Sequence, residues 1–167
     1  ILEEYRGIIT LLNTFANTAP NKHIVFMGYG SLEGHIKRMT KQYSNIHFQP
    51  AVIPSEIIEY TSGADIGVFF IESDLCLSYQ YSLPNKFGEY ILAGLPVLVS
   101  SSLSYLTEIV NDNKCGWSLN TDDNTALSNF VSSINKDSIE LIKIKVNRYD
   151  NTIGWELEEQ KLSHIYT

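Results

Sequence analysis

Apolar residues along this chain follow two alternating patterns. Short β-rich runs predict strands: HIVFMG (23–28), NIHFQP (45–50), ADIGVFFI (64–71), LPVLVSS (95–101) and the weaker GWSL (116–119). Between them, apolar positions recur with helical spacing. RGIITLLNTFAN (6–17) places Ile8, Leu11, Leu12 and Phe15 on one face. SLEGHIKRMTKQY (31–43), PSEIIEYTSG (54–63), the stretch 84–94 and SSLSYLTEIVNDN (101–113) continue the series, and Pro54 beside Ser55 suits a helix entry. The tail reads as helices only: TALSNFVSSI (125–134), DSIELIKIKVNRY (137–149) and NTIGWELEEQKLSHIY (151–166), where Trp155, Leu157, Leu162 and Ile165 are irregularly spaced. Strands alternating with helices imply βαβ units and a mostly parallel sheet covered on both faces. The expected fold is one three-layer α/β domain over residues 1–167, without linker or internal repeat. The chain opens on a helix where such a domain usually opens on a strand. Residues 1–5 are therefore read as the remnant of a first strand, and a chain starting at Ile1 as a fragment.

Composition narrows the function. At 44% apolar residues the chain can bury a core, and no apolar run reaches membrane-spanning length or reads as a signal peptide. Cys76 and Cys115 have no metal or redox spacing and read as reduced thiols of a cytoplasmic protein. A net charge of −7 argues against a nucleic-acid surface, which needs a basic stripe. KIKVNR (143–148) reads as a solvated helix face. His23, His35, His47 and His164 are scattered, so no metal site is expected. IESD (71–74) could supply a carboxylate pair, but a solvated loop is the simpler account.

Gly28, Gly30 and Gly34 follow a predicted strand and enter a helix, as in dinucleotide or S-adenosylmethionine loops. Those folds place an acidic residue at the end of the next strand to take ribose hydroxyls. Here that strand ends in Gln49 and Pro50. A tight strand-to-helix turn is the simpler account of Gly28 and Gly34. An NAD(P)- or S-adenosylmethionine-binding domain remains the alternative.

The stretch SLPNKFGEYILAGLPVLVSS (82–101) carries more chemistry. On a helix over 84–94, Phe87, Ile91 and Gly94 share a face suited to the sheet, and Glu89 lies opposite, with Asn85 and Lys86 one turn earlier. Lys86 in the first turn opposes the helix dipole, yet suits an anion bound there. A nucleoside diphosphate at this end would meet Lys86 and free amides, while Glu89 could accept bonds from two ribose hydroxyls. An i,i+3 Lys86–Glu89 surface pair explains the same residues equally well.

The same stretch resembles the donor-binding segment of retaining family 4 glycosyltransferases with the GT-B fold, whose pattern is P-x-K-x-x-E-Y-x-x-x-G-x-P-V. VFMGYGSLEGHIKRM, NIHFQPAVIPSEIIEYTSGADIGVF and EIVNDNKCGWSL are similar to the family's other βα units, and residues 153–166 with Trp155 to its closing helix. The resemblance implies the Rossmann-like, C-terminal, nucleotide-sugar-binding half of a two-domain enzyme. Glu89 then matches the second glutamate of an E-x7-E motif and binds the ribose. Tyr81 stands where the first glutamate often lies, which puts that position's sugar contact in doubt. Arg6–Gly7 occupies the place of a Lys–Gly pair, so Arg6 joins Lys86, Ser82 and Leu83 on the donor diphosphate. Gln49, Pro50, Ala51 and Val52 match a loop that meets the base.

The implied donor is a UDP- or GDP-type nucleotide sugar, with no required cofactor or metal. The implied acceptor is a glycan or lipid-linked hydroxyl, held through an N-terminal domain this chain lacks. The setting is polysaccharide assembly in the cytoplasm, at the inner membrane face for a peripherally associated full-length protein. The fragment alone is expected to transfer nothing. Two rivals remain: a degenerate, non-catalytic interaction module, which Tyr81 favours, and a sugar-nucleotide epimerase of the same architecture, whose catalytic carboxylates and histidine cannot be placed.

Overall fold

Every strand pairing among the described residues is parallel. The structure, a computed structural model, describes residues 1–18, 20–71, 77–123 and 125–150, with side chains as far as 147. Strand β1 (Ile24–Gly28) pairs with β2 (Ile46–Pro50), Ile24 opposite Ile46 and Gly28 opposite Pro50. Strands β3 (Gly67–Phe69), β4 (Val97–Ser100) and β5 (Gly116–Leu119) form a second ladder in the order β3-β4-β5. Helices α1 (Ile8–Asn17), α2 (Glu33–Gln42), α3 (Ile57–Ser62), α4 (Leu77–Gln80), α5 (Asn85–Leu92), α6 (Ser104–Asn113), α7 (Ala126–Ser133) and α8 (Lys136–Asp150) connect and follow the strands. This is the α/β, Rossmann-like alternation that the apolar pattern predicts.

The layers follow from side chains alternating across a strand. On β4, Val97 and Val99 enter one core with Phe69, Ile71, Phe87, Ile91, Leu106 and Val110. Leu98, between them, enters the other core with Phe26, Ile46, Phe70, Leu12, Ile36 and Val131. That second core joins residues of both ladders with α1, α2 and α7, so the two ladders share one helical layer. The opposite face is less uniform. On β1–β2, Val25 is 60% exposed and His47 is exposed, whereas Met27 and Gln49, two residues on along the same face, are half-buried.

Local chemistry sets several element ends. ADIGVFFI predicts a strand over 64–71, yet the ladder stops at Phe69. Beyond it the buried Ser100 hydroxyl accepts from the Ile71 N–H (2.9 Å) and donates to the Ile71 carbonyl (3.2 Å), replacing backbone pairing. Helix α5 ends in a Schellman motif, with Gly94 at φ 73° and the Leu95 N–H bonded to the Tyr90 carbonyl. Gly94 therefore caps the helix and does not share its packing face, as the helical pattern suggested. Similarly, Gly34 lies inside the first turn of α2 rather than in the preceding turn. Cys115 is buried, and burial pushes its thiol up to about 11. The carboxylates of IESD beyond Ile71, Cys76, and the expected closing helix at 153–166 with Trp155 and His164 lie outside the described residues.

Candidate functional site

The site is built where residues 1–7 cross the carboxyl ends of β1 and β3. Leu2 donates to the Tyr29 carbonyl (2.7 Å) and accepts from the Leu32 N–H (3.1 Å), which fastens the chain start over the glycine loop. Gly30, at φ 154°, has no room for a side chain, because a Cβ would lie 2.7 Å from the Leu2 nitrogen and carbonyl carbon. The Glu3 carboxylate accepts from the Ser31 N–H (3.1 Å) and hydroxyl (2.6 Å) at the entrance to α2. These two hydrogen bonds hold Glu3 below the usual carboxylate range. In dinucleotide folds the close approach and the anion at this place belong to the ligand. Here the chain's own Leu2 and Glu3 occupy both, so Gly28–Gly34 is not an open cofactor loop.

A 3₁₀ turn (Glu4–Arg6) then delivers Arg6, and Gly7 at φ 63° turns the chain into α1. The turn must be glycine, since a Cβ on Gly7 would meet the Phe70 Cβ at 2.9 Å. The Arg6 guanidinium lies 5.1 Å from the Tyr5 ring centroid, 5.6 Å from Phe69 and 5.8 Å from Tyr79. It makes no ion pair among the described residues, and its buried Nε–H has no acceptor. An unpaired guanidinium braced by rings, with a donor unused, is poised for an anion.

Helix α5 supplies the second cation. Phe87 and Ile91 are buried in the core beneath it, each contributing about 1.5–3 kcal/mol. Tyr90 lies against Gly67, where a Cβ would overlap the ring, and its hydroxyl donates to the Val68 carbonyl (3.1 Å). Burial pushes this phenol up to about 12, so it serves as a neutral anchor. With α5 fixed by one face, Lys86 and Glu89 occupy the other, both half-buried. No Lys86–Glu89 ion pair forms, and neither residue pairs elsewhere among the described residues. The simple i,i+3 account of these two residues is therefore set aside.

Arg6 is tied to the start of α5 through Tyr79, whose ring lies against the guanidinium and whose carbonyl accepts from Ser82. Arg6 beside Phe69 at the end of β3, and Lys86 and Glu89 on the first turns of α5, thus lie toward the carboxyl ends of parallel strands, the usual ligand crevice of open α/β sheets.

The remaining predicted residues divide. Ser82 is half-buried with its N–H and hydroxyl both turned to the Tyr79 carbonyl (3.4 and 3.2 Å), so its amide is already engaged. Leu83 is exposed, and its amide and those of Asn85 and Lys86 have no acceptor among the described residues. Tyr81 is 69% exposed at the rim. Gln49, Pro50, Ala51 and Val52 lie at the carboxyl end of β2, the strand beyond β1, with Pro50 and Ala51 exposed.

Sequence reasoning missed the rings around Arg6, because Phe69 and Tyr79 approach it only in the fold. It also missed that His23 and His47, scattered in sequence, stack with Nδ1 and Nε2 2.9 Å apart. Among the described residues no group of three or more metal-ligating side chains forms.

The sequence model of the family described as Glycosyl transferases group 1 matches residues 1–137. The chain belongs to this family. Among solved structures it is similar to WaaG, a glycosyltransferase involved in lipopolysaccharide biosynthesis, with a TM-score of 0.67 and 18% identity over 94% of this chain. It is also similar to AviGT4, a glycosyltransferase involved in avilamycin A biosynthesis, with a TM-score of 0.56 and 14% identity over 90% of this chain. No curated protein matches the chain. The chain spans 42% of the first structure and 48% of the second, and has the fold of one Rossmann-like half of a GT-B glycosyltransferase.

Proposed function

We propose that this chain is the donor-binding half of a retaining, family 4 glycosyltransferase. It holds a UDP- or GDP-type nucleotide sugar, and a second domain presents a glycan or lipid-linked acceptor. The observation that carries this reading is that Arg6 lies against Tyr79, whose carbonyl holds the turn into α5 with Lys86 and Glu89, and that all three charges are without ion-pair partners among the described residues. Arg6, Lys86 and the unengaged amides of Leu83, Asn85 and Lys86 bind the diphosphate, and Glu89 accepts from the ribose hydroxyls. The helix dipole at the start of α5 adds to the same field. The Ser82 hydroxyl can reach the diphosphate only by leaving Tyr79. Tyr81 stands at the rim toward the sugar, and Gln49–Val52 offer backbone groups to the base.

In the reaction the bond from the sugar's anomeric carbon to the diphosphate oxygen breaks, and the electron pair leaves with the diphosphate. The acceptor oxygen bonds to the same face of that carbon and passes its proton to the departing diphosphate oxygen. Fixed cations and amides stabilise the charge that grows on the leaving group, a role that requires no metal. The glycosyltransferase relatives suggest polysaccharide or glycan assembly, on the cytoplasmic side of a membrane that the full-length protein meets peripherally. No helix among the described residues is long and apolar enough to cross a membrane.

Ligand-observed NMR against UDP, GDP, ADP, NAD and S-adenosylhomocysteine tests the reading. One nucleoside diphosphate should bind and the last two should not. Binding of NAD or S-adenosylhomocysteine in preference would overturn it.

A further inference from the structure

Tyr79 touches both arms of the cationic site. Its ring centroid lies 5.8 Å from the Arg6 guanidinium carbon, and its carbonyl accepts from the Ser82 N–H (3.4 Å) and hydroxyl (3.2 Å) at the turn leading into α5. Phe69, the second ring on Arg6, is buried in β3, and Tyr79 packs against the same core. Tyr5, the third ring, adjoins Arg6 in sequence and moves with it. Of the three rings, only Tyr79 also contacts the turn that positions Lys86.

We infer that Tyr79 is a positioning residue for donor binding: its ring braces Arg6, and its carbonyl holds the turn that presents Lys86, so the two cations face one diphosphate. This rests on the donor-site reading above and adds a residue to it. An arginine stem alone has many rotamers, and fixing them at the moment of binding costs affinity. Aromatic faces attract the guanidinium without neutralising it, as a carboxylate would, so its charge is left for a phosphate. The ring should therefore matter for ligands carrying a diphosphate and be indifferent to a nucleoside alone. The carbonyl contact is backbone and survives side-chain substitution, which lets the ring be tested separately.

The test compares UDP with uridine, and GDP with guanosine, by isothermal titration of the full chain and of Tyr79→Leu, Tyr79→Phe, Arg6→Ala and the Tyr79→Leu/Arg6→Ala double variant. Thermal unfolding of each variant accompanies the titrations. Tyr79→Leu should weaken the bound diphosphate by about three- to tenfold while leaving the nucleoside unchanged. Tyr79→Phe should bind as the parent does, since it keeps the ring. In the Arg6→Ala background Tyr79→Leu should have no further effect. Equal weakening of diphosphate and nucleoside, loss in Tyr79→Phe as large as in Tyr79→Leu, or an undiminished effect without Arg6 would overturn the inference. A parent chain that binds UDP and GDP no better than their nucleosides would overturn the donor-site reading itself. A parent that prefers a diphosphate with Tyr79→Leu unchanged would overturn only the role of Tyr79.

Discussion

Leu2 lies so close over Gly30 that the glycine has no room for a Cβ. The glycine loop after β1, which in isolation suggests a cofactor cradle, is thereby filled by the chain's own first residues. Arg6 emerges from this crossing segment against Tyr79, whose carbonyl holds the turn into α5. The packing that closes one conceivable site thus builds the other.

Gly30→Ala should destabilise the protein by about 2–4 kcal/mol, combining positive-φ strain with displacement of Leu2. Urea unfolding measures it. A change within 0.5 kcal/mol, roughly that of an ordinary surface substitution, would mean that Leu2 does not pack there.

Glu3 predicts a pH dependence. Its hydrogen bonds to Ser31 lower its folded-state value below the ordinary glutamate value of 4.5, so their stabilisation is present above that pH. It is lost as pH falls through the folded value. Glu3→Gln should therefore be less stable than the parent at pH 7, and the two curves should converge in acid. Parallel curves from pH 7 to pH 3 would contradict the Glu3–Ser31 contact.

Tyr90 predicts the alkaline counterpart. Burial raises the folded phenol from its ordinary value of 10.0 to about 12, so folding loses stability as pH rises between these values. Tyr90→Phe should cost about 1–3 kcal/mol at neutral pH through the unpaired Val68 carbonyl. It should also flatten the loss above pH 10. Unfolding measured at pH 8 and pH 11 in both proteins checks the sign.

Lys86→Ala should leave stability within about 0.5 kcal/mol of the parent, or raise it, because an unpaired lysine at a helix start opposes the dipole. A loss of more than 1 kcal/mol would identify Lys86 as a structural residue rather than a binding one. Thermal and urea unfolding both report it.

Much of the layer architecture was legible because it is periodic. Alternation on VLVS and the helical spacing of Phe87 and Ile91 each fix which face is buried. Lys86 was legible too, as a charge placed against its own helix dipole. Features set by contacts between distant segments were not: the rings of Phe69 and Tyr79 on Arg6, the stacking of His23 on His47, and the lock of Glu3 on Ser31. Strand ends failed for a related reason. The apolar run through Ile71 promised a longer strand, but one serine hydroxyl replaced the backbone ladder there.

Isothermal titration of the full chain with UDP and GDP, repeated on Lys86→Ala and Glu89→Ala, bears most directly on the donor site. One of the two diphosphates should bind, about tenfold more weakly in Lys86→Ala and about ten- to a hundredfold more weakly in Glu89→Ala, with unfolding unchanged in both. Equal binding in the parent and both variants would place the nucleotide elsewhere and contradict a donor site at the start of α5.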